Sequence, residues 1–298
     1  MTARFGRVVT AMVTPFHPDG ALDLDGARDL ARWLAEAGNE GLVVAGTTGE
    51  GAVLTDDEKL SLWAAVAEAV TIPVIAGTGS NDTTHSVHLT AEAGKLGLAG
   101  LLVVCPYYNR PSQAGIEGHV RAVAAAAPQL PVVVYDIPIR TGRKISTATL
   151  LKLAREVPNV VGLKDAAGNP GETASVVANA PGGFEVYSGD DSLTLPLLAV
   201  GAVGAIGVAT HWSAVDHVEM FDAWAKGDVD GARRVNARLL PSFAFETGDE
   251  APNPIPTKAM LRTLGVAVGQ CRWPMGPAPD WVEPRARAVL ADLEAARG

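Results

Sequence analysis

Eight short apolar runs recur along the chain, and no other feature restricts the possible folds as strongly. They are Arg7–Phe16, Gly41–Thr48, Pro73–Ser80, Gly100–Tyr108, Pro131–Pro138, Val160–Ala166, Phe184–Gly189 and Ala202–Thr210. Each is apolar throughout rather than at alternate positions, the mark of a strand covered on both faces. The stretches between them carry helical signals. Leu24–Ala37 follows Asp23, a good N-cap, and stops at Gly38. Thr55–Val70 opens with capping-box spacing from Thr55 to Glu58, then an apolar stripe through Leu62, Val66 and Val70. Eight strand–helix units predict an α/β fold, a (β/α)8 TIM barrel, with a doubly wound sheet as the alternative. From about Ala225 onward there are helical stretches and no strong strand, with Pro252, Pro254 and Pro256 read as breaks. The expected layout is a barrel over 1–224 and a C-terminal helical region over 225–298.

A chain of 298 residues, 48% hydrophobic, suits one barrel with an extension. A net charge of -9 lacks the basic patch that nucleic-acid binding needs. Cys105 and Cys271 form neither a CxxC pair nor a disulfide framework, which fits a reduced, cytoplasmic compartment. The N-terminal run is interrupted by Thr10, Thr14 and Pro15; it makes a poor signal peptide and a worse membrane span, so it reads as the first strand.

Barrel enzymes place their chemistry at the carboxyl ends of the strands. Lys164 ends the apolar run Val160–Leu163, where a surface charge is not expected. An amine placed there either pairs with the adjacent Asp165 or is desolvated toward a lower pKa, as a carbonyl-condensing lysine requires. The second run ends Gly46-Thr47-Thr48-Gly49-Glu50-Gly51, which is either a turn or a cradle of N–H groups and hydroxyls for a carboxylate. Three of the four tyrosines, Tyr107, Tyr108 and Tyr135, lie at the fourth and fifth exits, as rim residues or as proton relays. Arg140 is either a solvated loop residue or a bidentate grip on a carboxylate. Asp190 and Asp191 are read as a helix cap in preference to metal ligands. His85 and His88 are read as a solvent-facing pair without a third ligand, and no metal site is expected.

Gly-Thr-Thr-Gly-Glu at 46–50, Pro-Tyr-Tyr-Asn-Arg-Pro at 106–111, Tyr-Asp-Ile-Pro at 135–138, Gly-Leu-Lys-Asp at 162–165, Ser-Gly-Asp-Asp at 188–191 and Pro-Asn-Pro-Ile-Pro at 252–256 occur in order. Together they resemble the dihydrodipicolinate synthase / N-acetylneuraminate lyase family over essentially the whole chain. The resemblance implies that Lys164 forms an imine with pyruvate. It also implies that Thr47, Tyr135 and Tyr108 relay protons, with Tyr108 reaching into a neighbouring subunit. Thr48 binds the pyruvate carboxylate on this reading, and the backbones of Gly189 and Ile206 line the pocket. Thr47-Thr48 and Arg140 favour the branch in which that arginine receives the carboxylate of aspartate-4-semialdehyde, with no metal or organic cofactor. A homotetramer, arranged as a dimer of dimers, is implied as well. Asp136 departs from the usual Asn and is expected to add negative charge near the mouth; Ala251 replaces a common Glu and is expected to affect only local packing.

Two rivals stand beside this reading: another pyruvate-dependent lyase or dehydratase acting on keto-sugar acids, and a non-catalytic ligand-binding barrel. The family's lysine-inhibited members resemble one another at a subunit-interface pocket, where a carboxylate meets the inhibitor's amino groups and histidines shape the site. The matching position for that carboxylate is His85, and the matching histidines are Asp56 and Lys59; Asn81 and Tyr107 are retained. Weak or absent inhibition by L-lysine is the expectation.

Overall fold

Every apolar run folds into a strand shorter than itself, because its polar or glycine-rich end peels away as an exit loop. In the computed structural model, which describes residues 3–298, the strands are β1 (Val8–Ala11), β2 (Gly41–Val44), β3 (Val74–Gly77), β4 (Gly100–Val104), β5 (Val132–Asp136), β6 (Val160–Asp165), β7 (Glu185–Ser188) and β8 (Gly204–Gly207). They pair in parallel in sequence order, and β8 returns to β1, closing a (β/α)8 barrel. The doubly wound alternative is thereby excluded.

The connections are α1 (Leu24–Glu36), α2 (Asp56–Ala69), α3 (Thr83–Ala93), α4 (Gln113–Ala126), α5 (Pro138–Thr141), α6 (Thr147–Glu156), α7 (Pro170–Asn179), α8 (Thr194–Ala199) and α9 (Thr210–Ala225). The Asp23 carboxylate accepts the Gly26 N–H, and Thr55 with Glu58 forms the full capping box, so both helices start where the sequence signals stand. Continuous apolar character reflects burial on two sides. Along β2, Leu42 and Val44 face the helices, whereas Val43 joins Val9, Ile75, Leu102, Val133 and Ile206 inside the barrel.

After α9 the chain forms α10 (Val229–Glu246), α11 (Ile255–Thr263) and α12 (Val282–Arg297), packed on a second apolar core that includes Met220, Leu239, Phe243, Met260 and Val289. Pro256 lies in the first turn of α11 and helps to start that helix, because its missing N–H has no partner there anyway. This region is fastened to the exit of β2. Lys258, wholly buried, pairs with Glu50 at 2.7 Å, and the Asn253 side-chain amide donates to Thr48 at 2.9 Å. The Arg272 guanidinium bonds Glu58 at 2.6 Å. Among the described residues no helix is long and apolar enough to cross a membrane.

Candidate active site

Strand alternation sorts the site residues before any finer geometry does. Tyr135 on β5 and Lys164 on β6 are register partners, so both side chains enter the barrel. Asp165, the next residue, faces outward, where it accepts from the Ala167 N–H at 2.9 Å and the Thr173 hydroxyl at 2.6 Å. The Lys164–Asp165 ion pair is therefore not formed. Lys164 is 4% exposed, with Nζ 4.4 Å from the centroid of the Tyr135 ring. Burial lowers its amine to about 8 and the Arg140 charge adds to the fall, while Asp191 and Glu246 pull the other way. At that value about a tenth is neutral at pH 7 and about half at pH 8, the form that can attack a carbonyl.

The Thr47 hydroxyl, on the loop after β2, faces the same cavity as the hydroxyl of Tyr135, whose phenol is pushed above its usual range by burial and so stays protonated. Thr48 is buried beside it and held by Asn253. Gly189 leaves room for the lysine: a Cβ there would stand 2.8 Å from Lys164 Cγ. Its N–H already donates to the Asp165 carbonyl at 2.8 Å, so residue 189 contributes space and not a donor. Ile206 packs inside the barrel with Tyr135. Arg140, on α5, lines a cavity of about 570 Å³ together with Thr47, Tyr135 and Ile137. Tyr108 stands at the rim with a left-handed backbone (φ 73°) and is 89% exposed. Thr47, Tyr135 and Arg140 thus face one cavity, Tyr135 lies between it and Lys164, and Tyr108 stands largely exposed at its edge.

Several expectations change. Asp136 does not charge the mouth: it follows the inward Tyr135, so it faces outward and is buried, accepting from the Ile145 N–H at 3.2 Å and from Lys144 at 3.1 Å. The acidic pair divides. Asp190 caps the turn Asp191–Leu193, whereas Asp191 is buried and accepts the Val208 N–H at 2.8 Å, tying the exits of β7 and β8. Of the pair expected to face solvent, His88 is exposed, but His85 is half-buried and bonded to Asp56 at 2.8 Å. His211 is a buried brace, accepting the Val13 N–H at 3.2 Å through Nε2. Among the described residues no cluster of three or more His, Cys, Asp or Glu side chains could hold a metal. Glu246 and Asn253 escaped the sequence reading. Glu246 sits in an acidic stretch, Glu246–Glu250, that reads as solvated surface, yet it is buried beside Asp191.

Residues 4–293 match the Dihydrodipicolinate synthetase family. The chain is 49% identical to a protein named 4-hydroxy-tetrahydrodipicolinate synthase from Moorella thermoacetica, over 97% of this chain and 98% of the relative. It is 48% identical to one of the same name from Symbiobacterium thermophilum, with 97% and 98% covered. Among solved structures, a Cyanidioschyzon merolae enzyme of this type with lysine bound superposes with a TM-score of 0.96 at 42% identity, covering 98% of this chain and 99% of that one.

Proposed function

The chain belongs to the dihydrodipicolinate synthetase family, and from that premise we propose that it condenses pyruvate with aspartate-4-semialdehyde to 4-hydroxy-tetrahydrodipicolinate, on the route to diaminopimelate and lysine. The observation that carries this reading is Lys164: an amine enclosed in the barrel, lying over Tyr135 and without a carboxylate salt bridge among the described residues. The neutral amine attacks the ketone carbon of pyruvate, water leaves the carbinolamine, and the resulting iminium loses a methyl proton to become an enamine. The enamine carbon bonds to the aldehyde carbon of the second substrate. That substrate's amine then attacks the iminium and displaces Lys164, which closes the ring and frees the enzyme.

Each proton move needs a hydroxyl that donates and accepts in turn. The Thr47–Tyr135 pair supplies two, and Tyr108 of a neighbouring copy supplies a third. Thr48, fixed by Asn253, holds the pyruvate carboxylate. Gly189 and Ile206 shape the floor, and Arg140 takes the semialdehyde carboxylate in a charge-assisted pair. No metal or organic cofactor enters these steps. Residues 1–224 carry the chemistry, and 225–298 hold the β2 exit in place.

The test is borohydride reduction with pyruvate present, followed by peptide mass spectrometry. An adduct on Lys164 with loss of activity is expected, and Lys164→Ala should yield neither adduct nor turnover. An adduct on another lysine, or surviving activity in the variant, sinks the reading.

A further inference from the structure

Behind Lys164 three buried side chains from three elements meet, each with one polar atom that no hydrogen bond reaches. Asp191 comes from the turn after β7, His217 from α9 and Glu246 from α10, and none is more than 5% exposed. The Glu246 carboxyl faces that of Asp191 within hydrogen-bond reach. His217 donates from Nδ1 to the Ser213 carbonyl at 2.9 Å, and its Nε2 stands 3.7 Å from Asp191 Oδ1. No N–H or O–H of the described residues reaches Asp191 Oδ1, Glu246 Oε2 or His217 Nε2. Two bare carboxylates cannot face each other in so dry a place at tolerable cost. One proton between them removes the repulsion and turns the contact into a hydrogen bond.

The site for that proton follows from the remaining bonds. Asp191 Oδ2 accepts the Val208 N–H at 2.8 Å, which favours leaving the charge on Asp191. Burial, and then Asp191 itself, push the Glu246 carboxyl well above the usual carboxylate range. The position is also shaped to hold the aspartate: a Cβ at residue 207 would lie 2.5 Å from Asp191 Oδ1, so glycine is needed opposite it. The groups around the pair are His217, Lys164, Asp190 and, beyond the lysine, Arg140.

We propose that Glu246 is a positioning residue for the imine-forming lysine: it shares one proton with Asp191, so the pair presents a single buried negative charge to Lys164 rather than two or none. The number of charges decides the chemistry. Two would hold Lys164 as an unreactive ammonium, and none would leave the iminium uncompensated in the barrel. One allows the amine to be neutral near pH 8 and still offsets the cation that forms on it. This rests on Lys164 being the nucleophile.

The experiment measures borohydride-trapped pyruvate adduct on Lys164 against pH. An amine held at about 8 is protonated below that value, so the trapping rate rises with pH and levels above it. Glu246→Gln keeps a neutral hydrogen-bond donor and should leave the midpoint in place. The double variant Asp191→Asn/Glu246→Gln removes the charge and should move the midpoint down by about one pH unit. A merely structural role would lower the yield of folded enzyme without moving either midpoint. An acid-ward shift in Glu246→Gln as large as in the double variant, or no shift in the double variant, overturns the proposal. The infrared spectrum of the wild-type enzyme at neutral pH gives a second measurement that does not depend on the double variant folding. It should contain a protonated-carboxyl band that Glu246→Gln lacks, and its absence is equally fatal. No adduct on Lys164 in the wild type would remove the nucleophile reading and this proposal together, while the band alone would still report whether the proton is shared.

Discussion

Arg140 acts on two residues it does not touch: its charge lowers the pKa of both the Lys164 amine and the Tyr135 phenol. Its side chain reaches the cavity from a short exposed helix, so a substrate carboxylate can meet it without first displacing a protein partner. Arg140→Ala should therefore weaken use of aspartate-4-semialdehyde far more than imine formation with pyruvate. The loss of a charge-assisted pair is worth roughly 1.5–3 kcal/mol, about ten- to a hundredfold. Separate measurement of pyruvate trapping and of kcat/KM for the semialdehyde checks this; equal losses in both would remove Arg140 from its assigned role. Lys164 was legible as a charge at the end of an apolar strand, but whether it pairs with Asp165 was not. That depends on which face each residue takes, and a run buried on both faces hides its own alternation. The same ambiguity concealed the outward turn of Asp136. Glu246 was illegible for a different reason: nothing local distinguishes a glutamate that meets Asp191 across the fold from its solvated neighbours.

At the scale of elements, α2 and α3 form one side of the cavity and present an inverted ion pair. Asp56 on α2 is bonded to His85 on α3, and Lys59 is buried close by, its amine lowered by burial and raised in part by Asp56. Asn81, His85 and Tyr107 line the same cavity as Tyr135. A lysine ligand brings two ammonium groups, and here both nearby carboxylates are already engaged: Asp56 with His85, beside Lys59, and Glu50 with Lys258. Steady-state assays at saturating pyruvate should show little inhibition by L-lysine, and strong inhibition at low concentration would show that Asp56 can be released to the ligand. The algal relative was solved with lysine bound, which makes it a suitable comparison in the same assay. The helix starts on this side were readable because a capping box is a local device. The prolines at 252, 254 and 256 were not, since the last of them lies in the first turn of α11 and only the register of that turn reveals it.

For the molecule as a whole, the two most exposed large apolar side chains stand where a second copy is expected. Tyr108, on the loop after β4, and Ile139, on α5 after β5, are 89% and 90% exposed. A side chain of that size left in water gains by burial in a partner. The homotetramer implied by the family motifs should appear as a single species of four chains in sedimentation velocity. Tyr108→Phe should then reduce turnover while leaving that species intact, because it removes only the hydroxyl. A monomer with full activity would show that Tyr108 takes no part in catalysis. The barrel itself was the most legible feature of the sequence, since eight buried runs with short connections leave few topologies.

The ties from Asn253, Lys258 and the Arg272 N–H to the β2 exit join a late part of the chain to a loop made much earlier. A ribosome therefore delivers all eight strands, reactive lysine included, before it has made the residues that secure Thr48 and Glu50. A prematurely terminated chain would carry the amine with nothing set to grip a keto acid beside it. A chain cut before residue 253 should therefore hold pyruvate less tightly than one that carries Asn253 and Lys258.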